Sequence, residues 1–537
     1  MRGVAPGLAI AAAVALAISA CSAADVERAE TTLPPPAMTT TAVVVPSTTA
    51  APPLTTALPV PTTTVAEPEE STTSTTTLPA VPEDESTAVP PPGAGAGDSF
   101  YPWLGNSGYD VTHYDLSLDV DPVANTIDGL TTVHAVATED LTTIYFDLSG
   151  LEVSTVKVDG VPVGFARERV ELIVQPTESI PAGASFTVEV AYAGTPERIR
   201  DPGVPFVRIG WFGVNGVVFT SNEPSGSMTW FPSNNHPTDK ATFTIRITVP
   251  EHLTAASNGL LVDEIVLNDR RTATWQMDDL MAPYLAAVYV GEFERHAQAS
   301  RDDLLIRDYI PGSLSELERQ ATLEALSITP GAIEYFEGLL GPYPFDAYGT
   351  IVMPFTLGFA MENQTLSLHG TQTLGSQIIA HELAHQWFGN SVTVADWSDI
   401  WLHEGFAHYL SFLYLAEVQG EDLEALMARE LETATFAGAA PPGGITVAQL
   451  FDFNAVYRRA MLTLHALHRR VGDDVFFDIL RRHYESSAGG TTNTAEFLAV
   501  VEELAGAGAV ELVEMWLYDT EVPSTLGDSP PVSEITE

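Results

Sequence analysis

Two histidines four residues apart and a glutamate nineteen residues beyond the second constrain this chain more than any other feature: His381 and His385 in SQIIAHELAHQWFGN, and Glu404 in DIWLHEGFAHYLSFLYLAEV. In the first stretch Ile378, Ile379, Leu383, Ala384, Trp387 and Phe388 recur at helical spacing, and Gly389-Asn390 reads as a stop. Positions i and i+4 share a helix face, so the two imidazoles can reach one ion. The second stretch also repeats its apolar residues at helical spacing. A helix, a turn and an antiparallel helix would bring the Glu404 carboxylate opposite the histidine pair. Two histidines and one carboxylate leave the fourth position of a tetrahedral zinc open, as a hydrolytic site requires. Glu382, next to His381, is placed to act as general base toward water at such a site without ligating the ion. Taken singly, each of these residues reads as well as a core histidine or a surface acid. Their combined spacing points to one zinc ion on His381, His385 and Glu404.

The remaining sequence divides by composition. A chain of 537 residues exceeds one average domain. Residues 1–21, MRGVAPGLAIAAAVALAISAC, read as a secretory signal whose apolar run is too short for a comfortable membrane span. Cys21 is the only cysteine, so no disulfide forms within the chain. Ile18-Ser19-Ala20-Cys21 resembles a bacterial lipobox, which implies a lipoprotein signal peptide. On that reading a lipidated Cys21 is the only membrane attachment, and the protein sits on the outer face of a bacterial cytoplasmic membrane. Residues 22–98 form a Thr/Pro-rich linker with no aromatic residue to seed a core, and its prolines favour extended conformations. Its repeated threonines offer sites for sugars.

The net charge is −48, and only ten of the 71 acidic residues fall within that linker, so the folded part is itself strongly acidic. Nucleic acid is excluded as a partner. Residues 99–303 alternate apolar and polar positions in short runs such as THYDLSLDV and ATFTIRITVP, which predicts a β domain. Helical spacing dominates residues 304–520, interrupted by the strand-like AYGTIVMPF, and 521–537 form an acidic tail. The fold class is therefore α+β with more than one domain.

HELAH, WLHEGFAHYL and the upstream GFAMENQT together resemble the zinc aminopeptidase N family of gluzincin metallopeptidases, over most of residues 108–520. The resemblance implies a β-sandwich or saddle-like N-terminal domain followed by a thermolysin-like, mostly helical catalytic domain with a small sheet. It also implies the short two-domain bacterial form, with a more open cleft than in larger relatives.

In that family the Met-Glu-Asn motif lies on an edge strand and its glutamate binds the free α-amine of a peptide. Met361, Glu362 and Asn363 take that place here. A carboxylate at a fixed distance from the metal suits recognition of a positive amine. The family has glycine where this chain has Phe359, with Gly358 one step earlier. A second amine-binding acid corresponds to Glu223, in a segment where Ser221, Ser227 and Met228 depart from the family pattern. Tyr457 matches the tyrosine of a Tyr-x-Lys-Gly motif, with Arg459 and Ala460 in place of the lysine and glycine, and a phenol there donates to the oxyanion.

Asp399 is expected to accept a hydrogen bond from a ligand imidazole. His369, His403, His408, His465 and His468 read as structural or surface. The implied substrates are peptides with a free N-terminus. A thermolysin-type endopeptidase, which shares the zinc residues without an amine anchor, and a non-catalytic cell-surface binding module on the same fold remain alternatives.

Overall fold

The computed structural model describes residues 93, 95–298 and 304–526. The expected signal peptide, Cys21, nearly all of the linker and the tail from 527 onward lie outside the described residues. Every described residue belongs to one compact unit.

The alternating runs form a β-rich region. Tyr109–Asp121 buries Val111, then Tyr114, Leu116, Leu118 and Val120. The change from odd to even positions follows a bulge between Val111 and His113, where one extra residue turns the strand's apolar set back to the core. This strand sits centrally in an eight-stranded sheet. Its neighbours are Thr126–Ala137, antiparallel, and Ala241–Pro250, parallel. A five-stranded sheet contains Arg208–Val214 and Val217–Ser221, the strand that leads to Glu223. A three-stranded sheet contains Ile144–Asp147, Glu171–Gln175 and Gly164–Glu168.

The second region combines a small sheet with nine helices among the described residues. The sheet runs in the order Phe293–Ala297, Leu305–Pro311, Thr350–Met353, Ser367–Gly370. Phe293–Ala297 precedes the expected boundary at 303, yet it pairs antiparallel with Leu305–Pro311 and so forms an edge of this second sheet. Alternation in the sequence shows that a strand exists but not which sheet it joins.

The helices are α1 (Glu316–Leu326), α2 (Thr329–Leu340), α3 (Ser376–Ala384), α4 (Trp401–Gln419), α5 (Leu423–Ala437), α6 (Ala460–Val471), α7 (Asp473–Ser487), α8 (Thr494–Ala505) and α9 (Ala507–Tyr518). A capping box between Ser315 and Glu318 starts α1. Gly420, left-handed at φ 75°, ends α4. Among the described residues no helix is long and apolar enough to cross a membrane.

One apolar core runs through both regions, from Tyr114 and Trp230 to Trp387, Trp397 and Trp401. Burying each such side chain contributes on the order of 2–3 kcal/mol. Polar contacts join the regions around the metal helix. Tyr284 donates its hydroxyl to the Gly389 carbonyl at 2.7 Å, and Lys240 Nζ donates to the carbonyls of Asn390 and Ser391 at 3.1 and 2.8 Å.

Two ends of the sequence partition need correction. Residues 95–98, assigned to the linker, are packed: Gly95 and Ala96 donate backbone N–H groups to Gly105 and Leu104. Asp98 is buried, and its carboxylate accepts from the backbone N–H groups of Phe100, Tyr101 and Trp397. At the other end Leu526 is buried, and Arg459 Nη2 donates to the carbonyls of Asp519 and Glu521, so the first residues of the assigned tail are held. Composition marks both segments as loops, but their partners are remote in sequence.

Candidate metal centre and substrate pocket

The helix α3 is only nine residues long and has no side-chain cap at Gly375, so its stability comes from burying Ile379, Ala380, Leu383 and Ala384. It ends at His385, and α4 packs against it with every residue from Trp401 to Tyr414 buried. His381 Nε2 lies 3.0 Å from His385 Nε2 and 3.2 Å from Glu404 Oε2, and His385 Nε2 lies 3.3 Å from the same oxygen. Zinc bonds of about 2.0–2.1 Å at the tetrahedral angle set ligand atoms about 3.3 Å apart, so this triangle fits one zinc ion. Among the described residues these three form the only group of three or more His, Cys, Asp or Glu able to hold a metal.

The orientation of His385 is fixed from behind. Its Nδ1 donates to the Phe388 carbonyl at 3.1 Å, which leaves the Nε2 lone pair for a metal. Gly389 makes this possible. It sits at φ 126°, and a Cβ there would lie 2.9 Å from His385 Nδ1.

Four buried carboxylates, Glu223, Glu362, Glu382 and Glu404, lie close enough to influence one another. Burial raises the pKa of Glu382 well above the usual carboxylate range. His385 opposes that rise, while Glu362 and Glu404 add to it. Burial also raises Glu223 strongly, with Glu362, Glu404 and Glu382 adding to the effect, and raises Glu362. At Glu404 burial is outweighed by the facing His385 and by hydrogen bonds from both histidines, which hold its carboxyl well below the usual range. Burial would lower His385, but Glu404, Glu362 and Glu382 raise it to about 9. This cluster of carboxylates therefore favours positive charge beside it.

Glu362 stands beside this triangle on a segment held from two sides. Met361 makes an antiparallel bridge to Leu368 on the edge strand Ser367–Gly370. The Glu362 carbonyl accepts from Gln386 Nε2 at 2.9 Å and Asn390 Nδ2 at 2.8 Å, both just past the second histidine. From the β region Asn258 Nδ2 donates to the Gln364 carbonyl, and Gly259 N–H donates to Thr365 Oγ1, each at 2.7 Å. Asn363 is fully buried, and neither side-chain polar atom has a hydrogen-bond partner.

Tyr457 lies in a π-helical turn, Phe453–Arg459, that leads into α6, a geometry frequent at functional sites. Its ring lies 6.0 Å from that of His381, inclined by 27°. Burial, then the charges of Glu404 and Glu223, push its hydroxyl pKa well above 10, so it remains a donor across the working pH range.

The Peptidase family M1 domain matches residues 324–516, and the Peptidase M1 N-terminal domain matches residues 111–285. A mutant M1 zinc metallopeptidase from Deinococcus radiodurans, solved with a Tyr-Ser-Ala substrate, is 33% identical and superposes with a TM-score of 0.72, over 80% of this chain and 98% of that one. The chain belongs to peptidase family M1.

A second structure, of an M1 zinc metallopeptidase from the same organism, is 32% identical with a TM-score of 0.73, covering 82% of this chain and 100% of that one. Aminopeptidase M1 of Arabidopsis thaliana is 26% identical over 450 residues, 76% of this chain and 50% of its own. The chain spans about half the length of the first curated relatives it matches. The M1 architecture of a β-rich N-terminal domain and a helical catalytic domain is the one found here.

Departures from the motif pattern have local explanations. Arg459, at the lysine position, is fully buried and donates to the carbonyls of Trp516, Ala439, Asp519 and Glu521, fastening the end of α9 to the turn that carries Tyr457. Ala460, at the glycine position, fits because it faces Gly405 of α4, where a Cβ would lie 2.6 Å from that of Ala460. Phe359 packs partly buried against the core.

Asp399 does not serve a ligand imidazole. It accepts from Thr494 Oγ1 at 2.5 Å, and Thr494 in turn accepts from Trp401 Nε1. The residue His385 actually uses is the Phe388 carbonyl, a backbone partner that side-chain types do not reveal. His408, read as structural or surface, borders the site instead, with its ring 5.7 Å from His381 and 6.0 Å from Tyr457. The missed signal was its spacing, four residues after Glu404 on one helix face.

Proposed function

We propose that the protein is a zinc aminopeptidase that removes residues from the free N-termini of peptides. The observation that carries this reading is the buried Glu362 carboxylate on a segment that Gln386 and Asn390, just past the second histidine, hold against the histidine-carboxylate triangle. The family membership supports it, as does the Tyr-Ser-Ala substrate in the related Deinococcus radiodurans structure.

His381, His385 and Glu404 would hold one zinc ion, which supplies a Lewis acid that polarises a carbonyl and acidifies water. Glu362, together with Glu223, binds the substrate ammonium and sets the first peptide bond at a fixed distance from the triangle. Glu382 takes the proton of the attacking water on its carboxylate and passes it to the leaving nitrogen. Tyr457 donates its hydroxyl to the oxygen that becomes negative, stabilising charge that exists only during reaction.

The same reading includes export and attachment to the outer face of the cytoplasmic membrane through Cys21, supported by the lipobox-like Ile18–Cys21. The substrate assignment is tested with Glu362→Gln. On a leucyl peptide with a free amine, KM should rise about 10- to 100-fold through loss of a charge-assisted hydrogen bond, with zinc content unchanged. An unchanged KM would remove Glu362 from amine recognition.

A further inference from the structure

Away from the metal centre, the three-stranded sheet buries a second group of oxygens. Asp147 ends the strand Ile144–Asp147 and Glu171 begins Glu171–Gln175, and the antiparallel register sets them directly opposite. On its other side Asp147 bridges to Ser233, donating its N–H to the Ser233 carbonyl at 2.8 Å and accepting from the Ser233 N–H at 3.1 Å. Both backbone groups of Asp147 thus point to Ser233. Its pairing with Glu171 is therefore of the non-hydrogen-bonded kind, with Cα atoms about 4.5 Å apart and side chains at their closest.

Directly opposed residues share a face, so Glu171, Asp147 and Ser233 project side by side. Asn106 joins them, its Nδ2 donating to Asp147 Oδ2 at 3.4 Å. Relative exposures are 0% for Asp147 and Ser233, 4% for Asn106 and 7% for Glu171. One oxygen on each has no hydrogen-bond partner: Asp147 Oδ1, Glu171 Oε2, Ser233 Oγ and Asn106 Oδ1.

Like charges directly opposite each other destabilise a sheet, and buried oxygens without donors add to that cost. The surrounding protein offsets only part of it. Asp147 Oδ2 accepts from the backbone N–H groups of Gly105 and Asn235, and Arg167 and Arg169 moderate Glu171. Arg167 has its own partners, the carbonyls of Leu148 and Leu151. Burial raises Asp147 to about 7, and burial together with Asp147 raises Glu171 to about 9.

We propose that Asp147, Glu171, Asn106 and Ser233 bind one calcium ion. The unpartnered atoms are all oxygens, two of them from carboxylates, and the neighbouring His236 has both ring nitrogens engaged, by Thr238 and Asp98, so the set suits a hard cation. Calcium accepts irregular sets of oxygens at 2.3–2.6 Å, whereas magnesium demands a near-ideal octahedron and keeps its waters. The ion also has a structural consequence. Asn235, whose N–H contacts Asp147 Oδ2, donates its Nδ2 to the Ser225 carbonyl at 3.0 Å, two residues from Glu223. Calcium here would brace the segment that carries Glu223.

The test uses the full, zinc-loaded chain freed of calcium on a chelating resin. Equilibrium dialysis against calcium chloride, at about 0.15 M salt to screen the acidic surface, compares wild type with Glu171→Gln and Ser233→Ala. The wild type should hold one tight equivalent more than Glu171→Gln, Ser233→Ala should bind more weakly, and all three should retain zinc. Calcium should raise the melting temperature of the wild type, and the same concentration of magnesium should not. If the variants fail to fold, the wild type decides alone. At pH 7.5 tight calcium binding should release buried protons, which exposed, already ionised carboxylates cannot do. Equal binding by wild type and Glu171→Gln, or no proton release from the wild type, overturns the site and leaves a carboxyl pair sharing a proton.

Discussion

Gln386 Nε2 donates to the backbone carbonyl of Glu362 at 2.9 Å, so the residue after the second histidine holds the segment that carries the Glu362 carboxylate. The same amide accepts through Oε1 from the Thr365 N–H at 2.9 Å, closing a clamp around residues 362–365. Thr365 is held at φ 66°, an unusual conformation for a β-branched residue, which this clamp and the Gly259 contact help to maintain. Gln386, together with Asn390, thus ties the Glu362 segment to the end of the helix that carries His381 and His385.

Gln386→Ala should therefore raise KM for free-amine peptides by about tenfold, the loss expected for one well-made hydrogen bond near a charge. Metal analysis run alongside should show full zinc occupancy. A variant that loses zinc in step with activity would show that Gln386 supports the helix rather than the spacing.

Tyr457→Phe keeps the ring against His381 and Phe453 and removes only the donor. Steady-state kinetics should show kcat reduced about 10²- to 10³-fold with KM little changed, because the hydroxyl acts on charge present only during reaction. A loss confined to KM would place the hydroxyl on the substrate instead.

His483 predicts an acid-sensitive stability. It is buried in stacking distance of Phe388 and beside Phe406 and Phe497, with neither ring nitrogen hydrogen-bonded, and burial lowers its pKa to about 4. Between about pH 6.5 and 4 the unfolded chain binds a proton that the folded chain refuses. Stability is thus fully present above 6.5 and is lost as pH falls through that window, by about 3 kcal/mol at most. Urea titrations of His483→Phe should show a shallower acid slope than wild type. Parallel slopes would mean that His483 does not titrate on unfolding.

The parts of the site carried by local spacing were legible in the sequence. His381, His385 and Glu404 sit at helical offsets on two apolar-periodic segments, and packing those segments together leaves few placements for the three side chains. What could not be read were relationships between remote positions. Asp98 accepts from the backbone N–H of Trp397, 299 residues away, and the assignment of Phe293–Ala297 to the second sheet depends on its partner rather than its own alternation. Asp399 failed as a helper of the metal site because a carboxylate near a histidine in sequence need not face it. The Asp147–Glu171 pair escaped notice because opposition across strands is set by register, which neither residue's neighbours in the chain reveal.

The central claim is that Glu382 moves the proton while Glu362 recognises a free amine. The most direct measurement compares wild type and Glu382→Gln on a leucyl peptide and its N-acetylated form, with zinc content assayed on the same samples. The account predicts that the wild type cleaves only the free-amine peptide, and that Glu382→Gln retains zinc but loses about 10²- to 10⁴-fold in kcat. Cleavage of both peptides by the wild type would contradict it and indicate an endopeptidase; zinc bound with no cleavage of either would indicate a binding module.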